Sequence, residues 1–405
     1  VSVISIFSAA YCSADQVVGE VVDHLGCRLL DDDSLCQDAA RLAGVSADKI
    51  QRAFHAKTSV FNKFTHEKER AVAWLKLALA QAMQDDGLLI SGFASLLAPR
   101  TVTHALRVCL VADTEYRLGE AAKSGVSEKE ALRRLREADE DAAAWAEVAC
   151  GFKDPWDSAL YDVVLPMDKK PIAEAGSIIV RSAAREALAV TEASRAAAAD
   201  FLLAARVEAV LVGEGHTVGV EARNGNITLS INKNVLMLGR LKEELARIAK
   251  SVPGVEDVET KVGKDFYQAD IYRRADFTLP GKVLLVDDER EFVETLSERL
   301  LMRDMGSAVV YDGESALEMI EADEPEVMIL DLKMPGIDGI EVLRRVKQTN
   351  PAIEVIILTG HGSEADREQC MELGAFAYLQ KPVDIDKLSE TLKAANEKIH
   401  AARKD

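Results

Sequence analysis

The sequence predicts a multidomain α/β protein. Three observations carry that expectation. At 405 residues the chain exceeds an ordinary domain of ~100–200 residues. Its first and last parts alternate short apolar runs with helical segments, the pattern of parallel sheets covered by helices. A short middle stretch instead alternates apolar and polar residues on either side of Asn224-Gly225, which reads as a β-hairpin.

Residues 1–195 form the first expected domain. Val1–Phe7, Gly26–Asp31, Gly87–Phe93 and Ala105–Asp113 are apolar runs of strand length, whereas Gln16–Leu25, residues 66–84 and Glu128–Val148 have the period of helices. The Ala-rich stretch Glu192–Val212 has strong helix propensity and bridges to a second block, residues 196–274. There a helix at about 198–212 leads into the hairpin, then an amphipathic helix Leu238–Val252, then a strand Gly254–Val262 behind a Pro-Gly step, giving the order α-β-β-α-β. Gly213, Gly215 and Gly219 follow an apolar run, but the residues after them alternate at period two. A dinucleotide fingerprint needs a helix there, so these glycines are not read as one. Asp276–Lys282 is a turn-rich linker. The third block, 281–405, carries five strands (Lys282–Val286, Ser307–Tyr311, Glu326–Leu330, Ile353–Leu358, Ala375–Leu379) and five helices near 290–303, 313–321, 339–348, 364–372 and 384–402. Such a (βα)5 unit suits a doubly wound sheet, whose ligand site lies beyond the carboxyl ends of the strands.

Composition removes some function classes. With 49 Lys and Arg against 68 Asp and Glu the net charge is −19, the wrong sign for a phosphate-neutralising nucleic-acid surface. No apolar run approaches the ~18–20 residues of a membrane span, and no signal segment opens the chain. The chain does not begin with Met, as expected after N-terminal processing or trimming. Six cysteines without a CxxC pair read as reduced structural thiols of a cytoplasmic protein, and the seven histidines show no metal spacing.

The acid is concentrated. Over residues 281–405, 15 Lys and Arg against 27 Asp and Glu leave −12. Most of these acids read as solvated surface, but strand-end positions stand apart. Asp287 and Asp288 close the first strand of this block, Asp331 the third, Thr359 the fourth, and Lys381-Pro382 the fifth. The fold would gather three carboxylates, a hydroxyl and an ammonium in one pocket. Clustered carboxylates call for a cation, and a hard oxygen-seeking ion such as Mg2+ suits them. One carboxylate could then act as nucleophile toward a phosphoryl group. The segments LLVDDE (284–289), LDLKMPGIDG (330–339), ILTG (357–360) and YLQKP (378–382) resemble the response-regulator receiver domain of two-component signalling over about 282–402. The resemblance implies a flavodoxin-like fold and makes Asp331 the phosphoacceptor. It implies that Asp287, Asp288 and Asp331 hold Mg2+ with the Lys333 carbonyl, that Thr359 and Lys381 contact the phosphoryl group, and that Tyr378 is the switch aromatic. The Lys381–Pro382 bond is expected to be cis. Met334 and Pro335 read as loop-shaping residues, and His361 as a variable loop residue and not a second phosphoacceptor.

The first block opens as strand, loop, helix, the layout of a P-loop. Its loop, Ser8-Ala9-Ala10-Tyr11-Cys12-Ser13-Ala14-Asp15, has neither the glycines nor the Lys that cradle phosphate. LGCRLLDDDSL (25–35), LLISGFASLL (88–97), residues 107–139 and DPWDSALYDVVLP (154–166) nevertheless resemble the cytidylate-kinase-like family over about 1–185. The departures share one direction. Gly92-Phe93 stands where the family has Gly-Arg, and Asp139, Glu140 and Asp141 stand where it carries Arg nearby. Arg133, Arg134 and Arg136 read as a solvated helix face. A degenerate, non-catalytic P-loop kinase-like domain is expected, since lost cations remove charge stabilisation in phosphoryl transfer. In the middle block, RNGNITLSI and VPGVEDVETKV resemble a BON domain, a small α+β fold. The resemblance implies binding to a membrane surface or a partner, but no basic amphipathic face is evident and a connector role is expected.

The combined expectation is a two-component response regulator whose partner is a sensor histidine kinase or phosphotransfer protein, with a further protein downstream and homodimer formation left open. With no basic recognition helix upstream and no domain after residue 405, transcription-factor output is not expected. Two rivals remain: a nucleoside monophosphate kinase gated by the receiver, and a scaffold assembled through the N-terminal domains.

Overall fold

The computed structural model describes residues 3–233, 238–263, 279–303, 305–360 and 362–402. The chain forms two compact units: Val1–Thr58 with Glu67–Tyr272, and Ser59–His66 with Arg273–Asp405.

The first unit contains two sheets. Strands β1 (Val3–Ser8), β2 (Arg28–Leu30), β3 (Leu88–Ser91), β4 (Ala105–Val111) and β5 (Val163–Pro166) form a parallel sheet in the order β2-β3-β1-β4-β5. Successive residues point to opposite faces of a strand. Ile4 and Ile6 therefore pack with Val17, Val18 and Val21 of the helix Ala14–Leu25, and Val3 packs with the layer that includes Leu75 and Leu79 of the helix Glu67–Ala82. The expected strands and helices are found within a few residues. The edge strand β5 was not anticipated: only Leu165 of its four residues is buried and it ends in Pro166, so its apolar pattern is weak.

The Ala-rich stretch is one 22-residue helix, Glu192–Gly213, opened by a capping box between Thr191 and Ser194. Its Ala198 and Ala205 pack toward the parallel sheet's helical layer, with Leu77 and Ala80 beside Ala205. Its Val207 and Leu211 join a separate core with Ile227, Leu229 and Ile231. That core lies under the second sheet, β6 (Gly219–Arg223), β7 (Asn226–Ile231) and β8 (Asp257–Val262), in which β6–β7 is antiparallel and β7–β8 parallel. Asn224 and Gly225 have φ of 47° and 80°, the positive values that a tight hairpin turn demands. The helix Leu238–Lys250 completes the layer through Leu241, Leu245 and Ile248. The α-β-β-α-β order is as expected.

In the second unit, β9 (Val283–Val286), β10 (Ser307–Val310), β11 (Val327–Leu330), β12 (Glu354–Thr359) and β13 (Ala377–Gln380) form a parallel sheet ordered β10-β9-β11-β12-β13, the flavodoxin-like arrangement. Along β9, Val283 and Leu285 enter one core and Leu284 and Val286 the other, so helices cover both faces. Most of the linker ahead of Pro280 lies outside the described residues. All six cysteines are free and, Cys150 excepted, buried. Among the described residues no helix is long and apolar enough to cross a membrane.

Candidate active site

The order of the second sheet puts β9 beside β11, paired from Val283↔Val327 to Val286↔Leu330. In a parallel pair in register, the residues that follow both strands emerge at the same end. Asp287 follows β9 and Asp331 follows β11, and their backbones are fixed by Asp287 N–H to Val310 O (3.2 Å) and Asp331 N–H to Val286 O (3.0 Å). Asp287 is 4 % exposed and Asp331 5 %, while Asp288 is exposed. One carboxylate oxygen from each of Asp287, Asp288 and Asp331 lies within 4.8 Å of the others. An all-oxygen, strongly anionic donor set of this kind can hold a hard cation.

Lys381, at the end of β13, reaches across the pocket. Its Nζ lies 2.6 Å from Asp287 Oδ2, 2.9 Å from Glu289 Oε1 and 3.7 Å from Asp331 Oδ2, and 4.4 Å from the centre of the Phe292 ring. Burial works against the ammonium, but its bonds to Asp287 and Glu289 outweigh that and hold its pKa above the ordinary lysine value. Burial pushes the Asp287 carboxyl up, with Lys381 and the Glu289 N–H pulling it back in part. Asp331 Oδ1 accepts from the Leu332 N–H at 2.8 Å. The following loop turns back tightly: a Cβ on Gly339 would collide with the Asp331 backbone carbonyl.

The remaining expected residues surround this pocket. Thr359 ends β12, is fully buried, and its carbonyl accepts from the Lys381 N–H at 3.0 Å. Lys333, two residues past Asp331, is exposed. Tyr378 is half-buried beneath the loop after β12, where a Cβ on Gly362 would strike its hydroxyl; Gly362 leaves room for the inward ring. The Lys381–Pro382 peptide is cis. His361 lies outside the described residues. Glu289 and Phe292, which sequence reasoning passed over as site residues, both contact the Lys381 ammonium; Glu289 was legible only as the last letter of LLVDDE.

The corresponding end of the first sheet is built differently. An aromatic cluster packs around β1: Phe7, paired with Cys109 of β4, is 5.9 Å from Phe93, 5.4 Å from Trp156 and 6.4 Å from Tyr161. Phe54 stacks on Phe93 at 5.4 Å and meets Trp145 edge-on at 4.7 Å. Phe93, at the position where a Gly-Arg step was expected to be missing its Arg, thus belongs to an apolar cluster. In the loop after β1, Tyr11 and Ser13 take up positive φ (61° and 56°) that glycines adopt without strain. Arg117, which sequence reasoning did not single out, donates to Ala10 O at 2.9 Å and forks onto both oxygens of Asp139 at 3.0 and 2.7 Å. Asp141 instead binds His55 and the Ala56 N–H. Arg133 and Arg134 are exposed and paired with Glu130, as a solvated face should be. A cleft of about 440 Å³ between the helices Thr114–Lys123 and Glu128–Cys150 is lined by Arg117, Arg136, Asp139 and Glu140 among others.

Comparison with known proteins finds a family match over each of these two regions. Residues 283–393 match the response regulator receiver domain, and residues 3–169 match the cytidylate kinase-like family. The transcriptional regulatory protein CpxR of Escherichia coli is 40 % identical over 120 residues, 30 % of this chain and 51 % of that protein. The response regulator MprA of Mycolicibacterium vanbaalenii is 33 % identical over 116 residues, 29 % of this chain and 50 % of that protein. This chain therefore spans about half the length of these curated relatives. Among solved structures, a response regulator receiver domain protein from Clostridium thermocellum is 31 % identical, covering 30 % of this chain and 98 % of its own, with a TM-score of 0.29. The C-terminal part of the chain is a two-component response-regulator receiver domain, and its N-terminal part is a cytidylate-kinase-like domain.

Proposed function

We propose that the protein is a response regulator that accepts a phosphoryl group on Asp331 and uses an N-terminal, non-catalytic kinase-like domain and a BON-like domain as its output. The three parts are residues 1–195, 196–274 and 281–405. The observation that carries the reading is the carboxylate cluster of Asp287, Asp288 and Asp331 bridged by the Lys381 ammonium. A carboxylate oxygen of Asp331 attacks the phosphorus of a phosphohistidine or an acyl phosphate. The new P–O bond forms as the donor's bond to phosphorus breaks, and the donor leaves with the bonding pair. Asp287, Asp288 and Asp331 with the Lys333 carbonyl would hold Mg2+, which would supply positive charge against the phosphoryl oxygens. Lys381 exchanges part of its pairing with Asp287 for a phosphoryl oxygen, and the Thr359 hydroxyl donates to another. Movement of Thr359 is then read by Tyr378, whose ring already lies inward. The donor in the cell is a sensor histidine kinase or phosphotransfer protein.

The reading of the first domain as non-catalytic rests on two features of its sheet end. The loop after β1, where an open α/β sheet binds its ligand, offers neither a glycine nor a Lys to a phosphate, and its Tyr11 and Ser13 take up positive φ. Arg117, a cation close enough to the loop after β1 to serve phosphate, is held by Asp139.

Labelling the full chain with acetyl phosphate and Mg2+ tests the acceptor: wild type is expected to be labelled and Asp331→Asn not. Equal labelling of the two would refute it. Calorimetry with ATP and with CMP is expected to show no binding; binding of either would favour a receiver-gated nucleotide kinase.

A further inference from the structure

The receiver unit contains eight residues from far upstream. Ser59–His66 groups with Arg273–Asp405 and interrupts the first unit between Thr58 and Glu67. The segment sits at the end of the sheet where β9 and β11 begin, opposite the Asp331 pocket. It is held by a specific set of bonds. Asp323, 8 % exposed at the end of the helix Gly313–Ala322, accepts from the Ser59 hydroxyl at 2.6 Å and from the Val60 N–H at 3.1 Å on Oδ2. Its other oxygen pairs with the buried Lys282 ammonium at 3.1 Å. Phe61 is fully buried, with the Lys282 Nζ 5.9 Å from the centre of its ring. Two glycines provide close approach: a Cβ on Gly281 would meet the Thr65 methyl at 2.9 Å, and one on Gly306 would overlap the Phe64 ring. Within the segment, the Ser59 hydroxyl also accepts from the Phe61 N–H at 3.1 Å, so one side chain shapes the turn and docks it.

We infer that this edge of the receiver is a docking surface whose occupant is the chain's own Ser59–His66, with Asp323 as the residue that recognises it. Two donors on one carboxylate, a buried aromatic ring and two glycine-dependent contacts form a matched interface. Chance contact would not leave Phe61 fully enclosed or require the absence of two side chains. The inference stands apart from phosphoryl transfer at Asp331, since it uses the other end of the sheet. It implies that a receiver cut at residue 281 lacks part of its own surface.

Hydrogen exchange of the full chain tests it. In wild type the Val60 amide is expected to exchange at least a hundredfold more slowly than in a free peptide of residues 57–67. Ser59→Ala, which leaves the Asp323–Lys282 pair in place, is expected to speed that exchange about tenfold, as for loss of one hydrogen bond to a charged group. Asp323→Ala is expected to abolish the protection and to open the chain to chymotrypsin at Phe61 and Phe64. Amides of Val355–Leu358 in β12 should remain protected in both variants and report an intact sheet. Free-peptide exchange at Val60 in wild type, or unchanged exchange and cleavage in Ser59→Ala, would overturn the inference.

Discussion

Asp32 offers a test of the first domain that needs no knowledge of its ligand. Its two oxygens accept from the Phe93 and Ala94 N–H groups at 2.8 Å each. Gly92, at φ +96°, leaves the room the carboxylate fills; a Cβ there would overlap it. Burial pushes the Asp32 carboxyl up to about 6, Asp31 and Asp33 add repulsion, and the two N–H donors offset only part of this. Against an unfolded value of 3.8, two pH units correspond to about 3 kcal/mol at ~1.4 kcal/mol each. The folded state holds this proton more tightly than the unfolded chain. Between about pH 4 and pH 6 it therefore binds more protons, and stability falls as pH rises through that window. The cost is absent below the unfolded pKa and complete above the folded one. Urea unfolding followed by tryptophan fluorescence is well suited, because all three tryptophans, Trp74, Trp145 and Trp156, lie in the first unit. Asp32→Asn keeps the shape and cannot ionise. Relative to wild type it is expected to gain about 3 kcal/mol on going from pH 4 to pH 7. Parallel pH profiles for the two proteins would refute the reasoning.

Three further outcomes are expected. Gly339→Ala should disturb the loop after β11 through its clash with the Asp331 carbonyl, costing about 1–3 kcal/mol as overpacking does and slowing acetyl phosphate labelling. Arg117→Ala should leave Asp139 and Ala10 O without their partner and destabilise the first unit by roughly 1.5–3 kcal/mol in urea unfolding, with no change in nucleotide titrations. Thr191→Ala should remove the capping box of the helix Glu192–Gly213 and cost about 1 kcal/mol, detected in the same unfolding curves.

Much of the receiver was legible because its determinants are local. Five apolar runs of strand length, each ending in a polar residue, define β9 to β13, and the sheet rule then places Asp287 and Asp331 at one end. The Asn224-Gly225 hairpin was legible for a similar reason, since the turn's positive φ selects its residues. Edge strand β5 escaped because a half-exposed four-residue strand carries little apolar signal. Glu289 and Arg117 escaped because their partners, Lys381 and Asp139, are 92 and 22 residues away, and no spacing rule links residues joined only by the path of the backbone.

The sequence by itself determined the element order, the sheet of the receiver and the identity of the acids that meet in its pocket, because hydrophobic period and strand-end chemistry act over a few residues. Tertiary structure decided what those residues touch. It set Lys381 between Asp287 and Asp331, closed Asp139 onto Arg117, gathered aromatic rings around Phe7, and drew Ser59–His66 onto Asp323. Those pairings depend on packing distances and on which charges burial forces together, and such quantities exist only once the chain has folded.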